Sequence, residues 1–307
     1  MMGELLPGTV RKDVIVDGVR FALRRSDPPG EPAGPPVLLL HGVPETSVMW
    51  RDLLPELAGD RVVLAPDLKG LGDSEARGPY DTRTLVRELV ALARSEVSGP
   101  VDLVGHDWGG SLAVMMATGE PDFTRRLVVL NAPFREVDYS RAWHMLLFSA
   151  PALPEALFSL GRREAVSVML RSGWRSRHPL DAEIAEHYRA AYAAPERMAA
   201  MLAYYRGATR PRLRRRVERF LANRANEVPS GDLPALPEHA LVVWGALDPV
   251  LPVRVGEAVV RDLGSRTEMV TVPDAGHFVL EEAPGVVVPA VTSFLHSDTP
   301  PGEANEN

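Results

Sequence analysis

Short apolar runs without polar alternation recur along the chain, at Val37-Leu38-Leu39-Leu40, Val62-Val63-Leu64-Ala65, Val101-Asp102-Leu103-Val104 and Leu127-Val128-Val129-Leu130. Strands buried on both faces of a mostly parallel sheet read this way, because helices cover each face. Two further runs, Ala240 to Trp244 and Met269 to Val272, come late in the chain. Near the start, Val14-Ile15-Val16 and Arg20-Phe21-Ala22-Leu23 flank Asp17-Gly18, a pair suited to a tight hairpin turn. Helical segments lie between most of the runs, for example Thr82 to Ser95 and Ser111 to Thr118. The alternation of buried strand and helix predicts an α/β fold with eight strands, mostly parallel.

The rhythm breaks between Phe134 and Asn226, where the sequence turns rich in Ala, Arg and Leu at helical spacing. Afterwards the strand pattern resumes. This predicts a helical lid inserted between two core strands rather than a separate C-terminal domain. The expected organisation is a core over residues 1–133, a lid over 134–226, the rest of the core over 227–297, and a flexible tail over 298–307.

Composition narrows the class. With 307 residues, 45% of them apolar, and 25 Gly and 28 Pro, the chain suits a packed globular protein with room for an inserted lobe. A formal charge of −7 argues against nucleic-acid binding, which needs a basic face to displace counterions. The one basic run, Arg206 to Arg219, reads as the solvated face of a helix. The absence of cysteine excludes disulfides, thiolate catalysis and Cys-based metal sites. No apolar run approaches the ~20 residues of a membrane span. Met1 to Asp13 lacks the charged-then-apolar pattern of a secretory signal, so a cytoplasmic protein without membrane attachment is expected.

Candidate chemistry begins at Gly105-His106-Asp107-Trp108-Gly109-Gly110, directly after a buried strand and before a helix. The pattern is Gly-x-nucleophile-x-Gly, a sharp strand-to-helix turn that lifts its central residue above the sheet. Serine usually stands at the centre; here it is Asp107. A carboxylate attacking an acyl carbon makes an anhydride, whereas attack on a saturated carbon makes an alkyl ester that water can cleave. Asp107 therefore points to epoxides or carbon–halogen bonds. Ser111, one helical turn on, reads as a helix-packing residue, and His41 and His106 read as structural.

These residues resemble the α/β-hydrolases with an aspartate nucleophile, a family that includes epoxide hydrolases and haloalkane dehalogenases. His41-Gly42-Val43-Pro44-Glu45 looks like the epoxide hydrolase His-Gly-x-Pro segment, and Pro66 to Ser74 resembles the loop after the fourth strand. The resemblance spans the core from His41 to Glu282 and implies the α/β-hydrolase fold with helices on both faces of the sheet. It also implies a general base at His277, in Asp274-Ala275-Gly276-His277-Phe278, after the last strand. The family places the base's carboxylate partner after the sixth or the seventh strand. The former position reads Asn131-Ala132-Pro133, and an amide carries no charge; the latter holds Asp248, which becomes the expected partner. The backbone N–H groups of Val43 and Trp108 are the expected oxyanion donors, since Pro44 has no N–H.

In the lid, Tyr204-Tyr205-Arg206 resembles the family motif whose Tyr before Arg faces the nucleophile, which implies Tyr205 as a proton donor. Where a first tyrosine is usual the chain reads Arg141-Ala142-Trp143-His144-Met145, so His144 is the expected second donor and Tyr139 the alternative. A halide would instead need two N–H donors. Trp108 supplies one in either case, and Trp143 and Trp174 are the lid candidates for the other, although both read more naturally as packing. Fluoroacetate-type enzymes carry Arg where this chain has Trp108 and Ser111, so that branch is disfavoured.

The expected activity is epoxide hydrolysis to a vicinal diol on a small-molecule substrate, without metal or organic cofactor, in a monomer or homodimer. A haloalkane dehalogenase using the same Asp107, Asp248 and His277 is the alternative. A catalytically silent ligand-binding relative, and an esterase or lactonase, are weaker ones.

Overall fold

The structure, a computed structural model, describes residues 5–159, 161–221 and 239–297. Of the expected segments, 222–226 at the end of the lid, 227–238 at the return to the core, and the tail 298–307 lie outside the described residues.

Two strands, β1 (Val10–Val16) and β2 (Val19–Ser26), form the hairpin, with Asp17 and Gly18 both at positive φ in the turn, as a tight two-residue loop demands. The sheet continues through β3 (Val37–Leu40), β4 (Val63–Pro66), β5 (Val101–His106), β6 (Thr124–Leu130), β7 (His239–Gly245) and β8 (Thr267–Val272). Its eight strands run in the order β1-β2-β4-β3-β5-β6-β7-β8. The hairpin joins antiparallel, β2 against β4, and every pairing from β4 to β8 is parallel. All residues of β3, β4, β5 and β7 are buried, so side chains pointing to either face are covered. The outermost β1 and β8 are largely exposed or half-buried, as strands with one unpaired edge are.

Helices fill the crossovers that parallel pairing requires. In chain order they are the short α1 (Leu54–Leu57), α2 (Thr82–Glu96) and α3 (Asp107–Gly119). Asp81 caps α2 by accepting the Thr84 N–H at 3.0 Å, which satisfies one of the free donors at that end. Between β6 and β7 come α4 (Trp143–Ser149), α5 (Leu153–Ser159), α6 (Arg162–Gly173), α7 (Ala182–Ala191) and the long α8 (Pro195–Leu221). The chain closes with α9 (Val253–Leu263), α10 (Val279–Glu282) and α11 (Pro284–His296). Among the described residues no helix is long and apolar enough to cross a membrane.

The basic run on α8 is not only a solvated face: Arg206 pairs with Glu155 and donates to the Ala150 carbonyl, and Arg210 donates to that of Ser149. Free carbonyls at the end of α4 draw these cations inward. Trp143 does not pack; it is 61% exposed on the outer face of α4. Seven residues of helix carry too little periodicity to reveal which face turns inward.

The insertion is fixed to the core through buried contacts. Tyr204 on α8 donates to the Lys69 carbonyl, whose own ammonium is buried against Glu88 at 2.8 Å. Tyr192 donates to the Glu45 carbonyl and Tyr188 to the Glu281 carboxylate at 2.8 Å.

Candidate active site

At the end of β5 the chain turns so sharply into α3 that Asp107 adopts φ +47°, a left-handed conformation that few non-glycine residues take. Glycine makes this turn possible. A Cβ on Gly105 would lie 2.5 Å from the Gly109 carbonyl oxygen, and one on Gly109 would meet the His41 carbonyl oxygen at 2.5 Å. The helix begins at Asp107 rather than at Ser111, because close packing against β3 overrides the poor helix propensity of Gly109 and Gly110.

The Asp107 carboxylate accepts the Val43 N–H at 3.1 Å and also the Trp108 N–H. His277 presents Nε2 at 3.4 Å to the other Asp107 oxygen and binds Asp248 through Nδ1 at 2.8 Å. Asp248 is buried and fully engaged: one oxygen accepts the N–H groups of Val250 and Leu251 at 2.8 and 2.9 Å, and the other takes His277 and the Asn131 amide at 2.7 Å. Asn131 in turn accepts the Gly245 N–H at 3.0 Å, tying the ends of β6 and β7 together. This amide carries no charge and does not replace Asp248 as the partner of His277. Its role is to orient the carboxylate on the neighbouring strand, a contact visible only once β6 lies beside β7.

Electrostatics follow from this arrangement. Burial alone would raise the Asp107 carboxyl, but the hydrogen bond and charge of His277, with the Trp108 N–H, hold it below the ordinary carboxylate value. Asp248 is likewise lowered, its burial outweighed chiefly by His277. Burial opposes charge on His277, yet Asp248 first and then Asp107 raise its pKa well above that of free imidazole. A carboxylate kept ionised beside an imidazole that a second carboxylate orients can attack an electrophile and then activate water.

A cavity of about 50 Å³ opens onto Asp107 and Trp108, lined also by Ser111, Leu112, Met115 and His144. Among the described residues that line it, only Asp107 and His144 carry ionisable side chains. Tyr205 is buried edge-on to both Trp108 and His144, with ring centroids 5.1 and 5.9 Å away. Burial raises the Tyr205 phenol, the Asp107 charge adds to this, and a hydrogen bond with the Trp108 side chain partly offsets it. Burial pushes His144 down to about 4, the Asp107 charge opposing. Both side chains are therefore neutral donors at physiological pH. Tyr139, half-buried before α4, does not line the cavity.

The remaining candidates have local partners. Ser111 donates to the Pro133 carbonyl at 2.7 Å. His41 is buried between the Gly42 carbonyl and the Leu68 N–H. His106 joins Glu45 at 2.6 Å to the His277 carbonyl at 2.9 Å, and Glu45, balancing its burial, raises its pKa. Trp174 donates its indole N–H to the His178 carbonyl at 2.8 Å.

A parallel-rich sheet with its strand order reversing around β3, a nucleophile-type elbow after β5 and a carboxylate–imidazole pair after β7 and β8 define a hydrolase of the α/β type. The chain belongs to the alpha/beta hydrolase family, whose model matches residues 37–290. It is 28% identical over 298 residues to epoxide hydrolase 3 of Xenopus tropicalis, covering 92% of this chain and 76% of that one. It is also 28% identical over 330 residues to epoxide hydrolase A of Mycobacterium tuberculosis, covering 92% and 96%. A solved structure of a proposed acyltransferase from Salmonella enterica superposes with a TM-score of 0.82 at 23% identity, over 95% of this chain and 96% of that one. At that identity the likeness concerns the fold alone.

Proposed function

We propose that the protein is an epoxide hydrolase that works through a covalent ester on Asp107, with residues 134–226 acting as the lid. The observation that carries this reading is the Asp107 carboxylate at the elbow, hydrogen-bonded to Val43 N–H and 3.4 Å from His277, with the neutral donor His144 in the cavity wall and Tyr205 packed edge-on against Trp108 and His144. The similarity to epoxide hydrolases along most of the chain supports it.

In the first step an Asp107 oxygen bonds to a ring carbon and the carbon–oxygen bond of the epoxide breaks. Tyr205 and His144 hydrogen-bond the departing oxygen, and Tyr205 supplies its proton. The ester no longer carries the Asp107 charge, so one of the two anions that raise His277 disappears. Its pKa falls, the proton it carried passes to solvent, and Nε2 becomes a base at the moment one is required; that proton is taken up again once the Asp107 charge returns. His277 then takes a proton from water, and the hydroxide attacks the Asp107 carbonyl carbon. The N–H groups of Val43 and Trp108, already aimed at this carboxylate, hold the oxyanion. Collapse releases the diol, which takes its proton from His277; the proton left on the Asp107 carboxyl returns to Tyr205.

Leaving-group chemistry favours an epoxide over a halide. A halide site built from two indoles would need a second N–H beside Trp108. Trp174 spends its own on His178, and Trp143 faces outward.

The test is incubation of the purified protein with styrene oxide, other small epoxides and 1-haloalkanes, scoring diol and halide release separately. Diol formed by the wild type and lost in Asp107→Ala is the expected result. Halide release without diol would replace this reading with the dehalogenase one.

A further inference from the structure

The loop that carries His277 is held by a carboxylate outside the nucleophile, acid and base. Glu282, buried at the end of α10, accepts backbone N–H groups from Arg175 at 2.6 Å, Ser176 at 2.7 Å, Gly276 at 3.0 Å and Phe278 at 3.0 Å. Two of these donors flank His277. The other two open the segment that follows α6, in the helical insertion. The His277 N–H completes the joint by donating to the Gly173 carbonyl at 2.9 Å. The packing is equally close: a Cβ on Gly173 would meet the Phe278 ring at 2.8 Å and the His277 Cβ at 3.1 Å.

One carboxylate binding four backbone donors, those of Gly276 and Phe278 buried and those of Arg175 and Ser176 part-buried, is a strong and geometrically demanding arrangement. The donors come from two segments about a hundred residues apart in sequence. Neither segment can move relative to the other without exposing unpaired N–H groups, and the side chain between Gly276 and Phe278 is the imidazole that faces Asp107.

We propose that Glu282 is a positioning residue that locks the seat of the helical insertion to the position of His277, and so governs the hydrolytic half of the reaction. This rests on the proposed role of His277 as the base. Alkylation depends on Asp107, which Glu282 does not touch, whereas water activation depends on where Nε2 points. Disrupting the clamp therefore slows the second step more than the first.

Two measurements on the full chain test this, one of them independent of turnover. In Glu282→Gln the carbonyl that stays on Arg175, Ser176 and Gly276 is uncharged and binds them more weakly while the N–H₂ faces the Phe278 N–H, and amide hydrogen exchange of peptides holding Gly276–Phe278 and Arg175–Ser176 should rise together, by about tenfold or more. Gly173→Ala, made from the insertion side, should raise exchange around Gly276–Phe278 as well. Exchange that changes only on the mutated side, or on neither, overturns the coupling whether or not the protein opens epoxides.

The second measurement is rapid-quench kinetics with styrene oxide. In Glu282→Gln hydrolysis of the adduct should slow about tenfold or more while alkylation stays within about threefold, so the adduct accumulates. Glu282→Asp, which keeps the charge, should fall between the two and carries the kinetic test if Glu282→Gln does not fold. Equal slowing of both steps, or no change in either, assigns Glu282 a merely structural part and overturns the proposal. A wild type that forms no diol from any small epoxide would count against the hydrolase reading and leave the exchange result to decide the clamp.

Discussion

Replacing Asp248 with asparagine separates the two halves of the proposed reaction. Every partner of this carboxylate is a donor: His277 Nδ1 at 2.8 Å, the Asn131 amide at 2.7 Å, and the N–H groups of Val250 and Leu251 at 2.8 and 2.9 Å. An asparagine that keeps its carbonyl on Val250 and Leu251 must turn its N–H₂ towards Asn131 and His277. The imidazole then relieves the clash by moving its proton to Nε2, the atom that should accept a proton from water. Hydrolysis through the wrong tautomer should fall by about 10⁴-fold, as elsewhere when an orienting carboxylate becomes an amide. That loss corresponds to about 5 kcal/mol of barrier. The unpaired donors should also destabilise the fold by about 1–3 kcal/mol. Attack by Asp107 needs neither proton transfer to His277 nor the tautomer, so the ester should form and persist. The assay is intact-protein mass after an acid quench in styrene oxide: near-stoichiometric adduct in Asp248→Asn, little in the wild type. Turnover within about tenfold of wild type without adduct would refute the orienting role.

Other consequences follow from the same geometry. Tyr205→Phe should slow ring opening by about 10²-fold while leaving adduct hydrolysis near normal, and Tyr205→Phe combined with His144→Gln should abolish diol formation in steady-state assays. Asp107 ionises below the usual carboxylate range, Tyr205 keeps its proton into the alkaline range and His144 stays neutral above about 4, so alkylation should be flat across neutral pH. Hydrolysis needs neutral His277, whose pKa Asp248 raises, so the fraction of enzyme held as adduct should grow as pH falls; a fraction that shrinks would contradict the assignment. Gly109→Ala pushes a methyl into the carbonyls of Leu40 and His41 and should cost about 3 kcal/mol or more, read as a fall in Tm with loss of activity.

Local chemistry makes much of this site legible in the amino-acid sequence. Asp107, Asp248 and His277 each follow a strand and sit among glycine or proline, and strand ends are where an α/β sheet gathers its functional groups. Flanking glycines announce the elbow because close approach to β3 leaves no room for another residue. What stays hidden depends on long-range pairing. Asn131 matters only because β6 lies beside β7, and Glu282 only because the end of α6 folds onto the His277 loop. Neither contact leaves a periodicity or spacing to read. The helical insertion shows the same limit, since α4 and α5 are too short to declare their inner faces, and the outward turn of Trp143 is set by packing alone.

The covalent route through Asp107 is tested most directly by a single turnover in ¹⁸O-water with enzyme in excess over styrene oxide. On the proposed route the oxygen delivered to the substrate comes from Asp107, and water replaces it by attacking the carbonyl carbon. The account predicts unlabelled diol and ¹⁸O in the peptide that contains Asp107. Labelled diol with an unlabelled Asp107 would mean that water attacks the epoxide directly, and the covalent mechanism would be wrong.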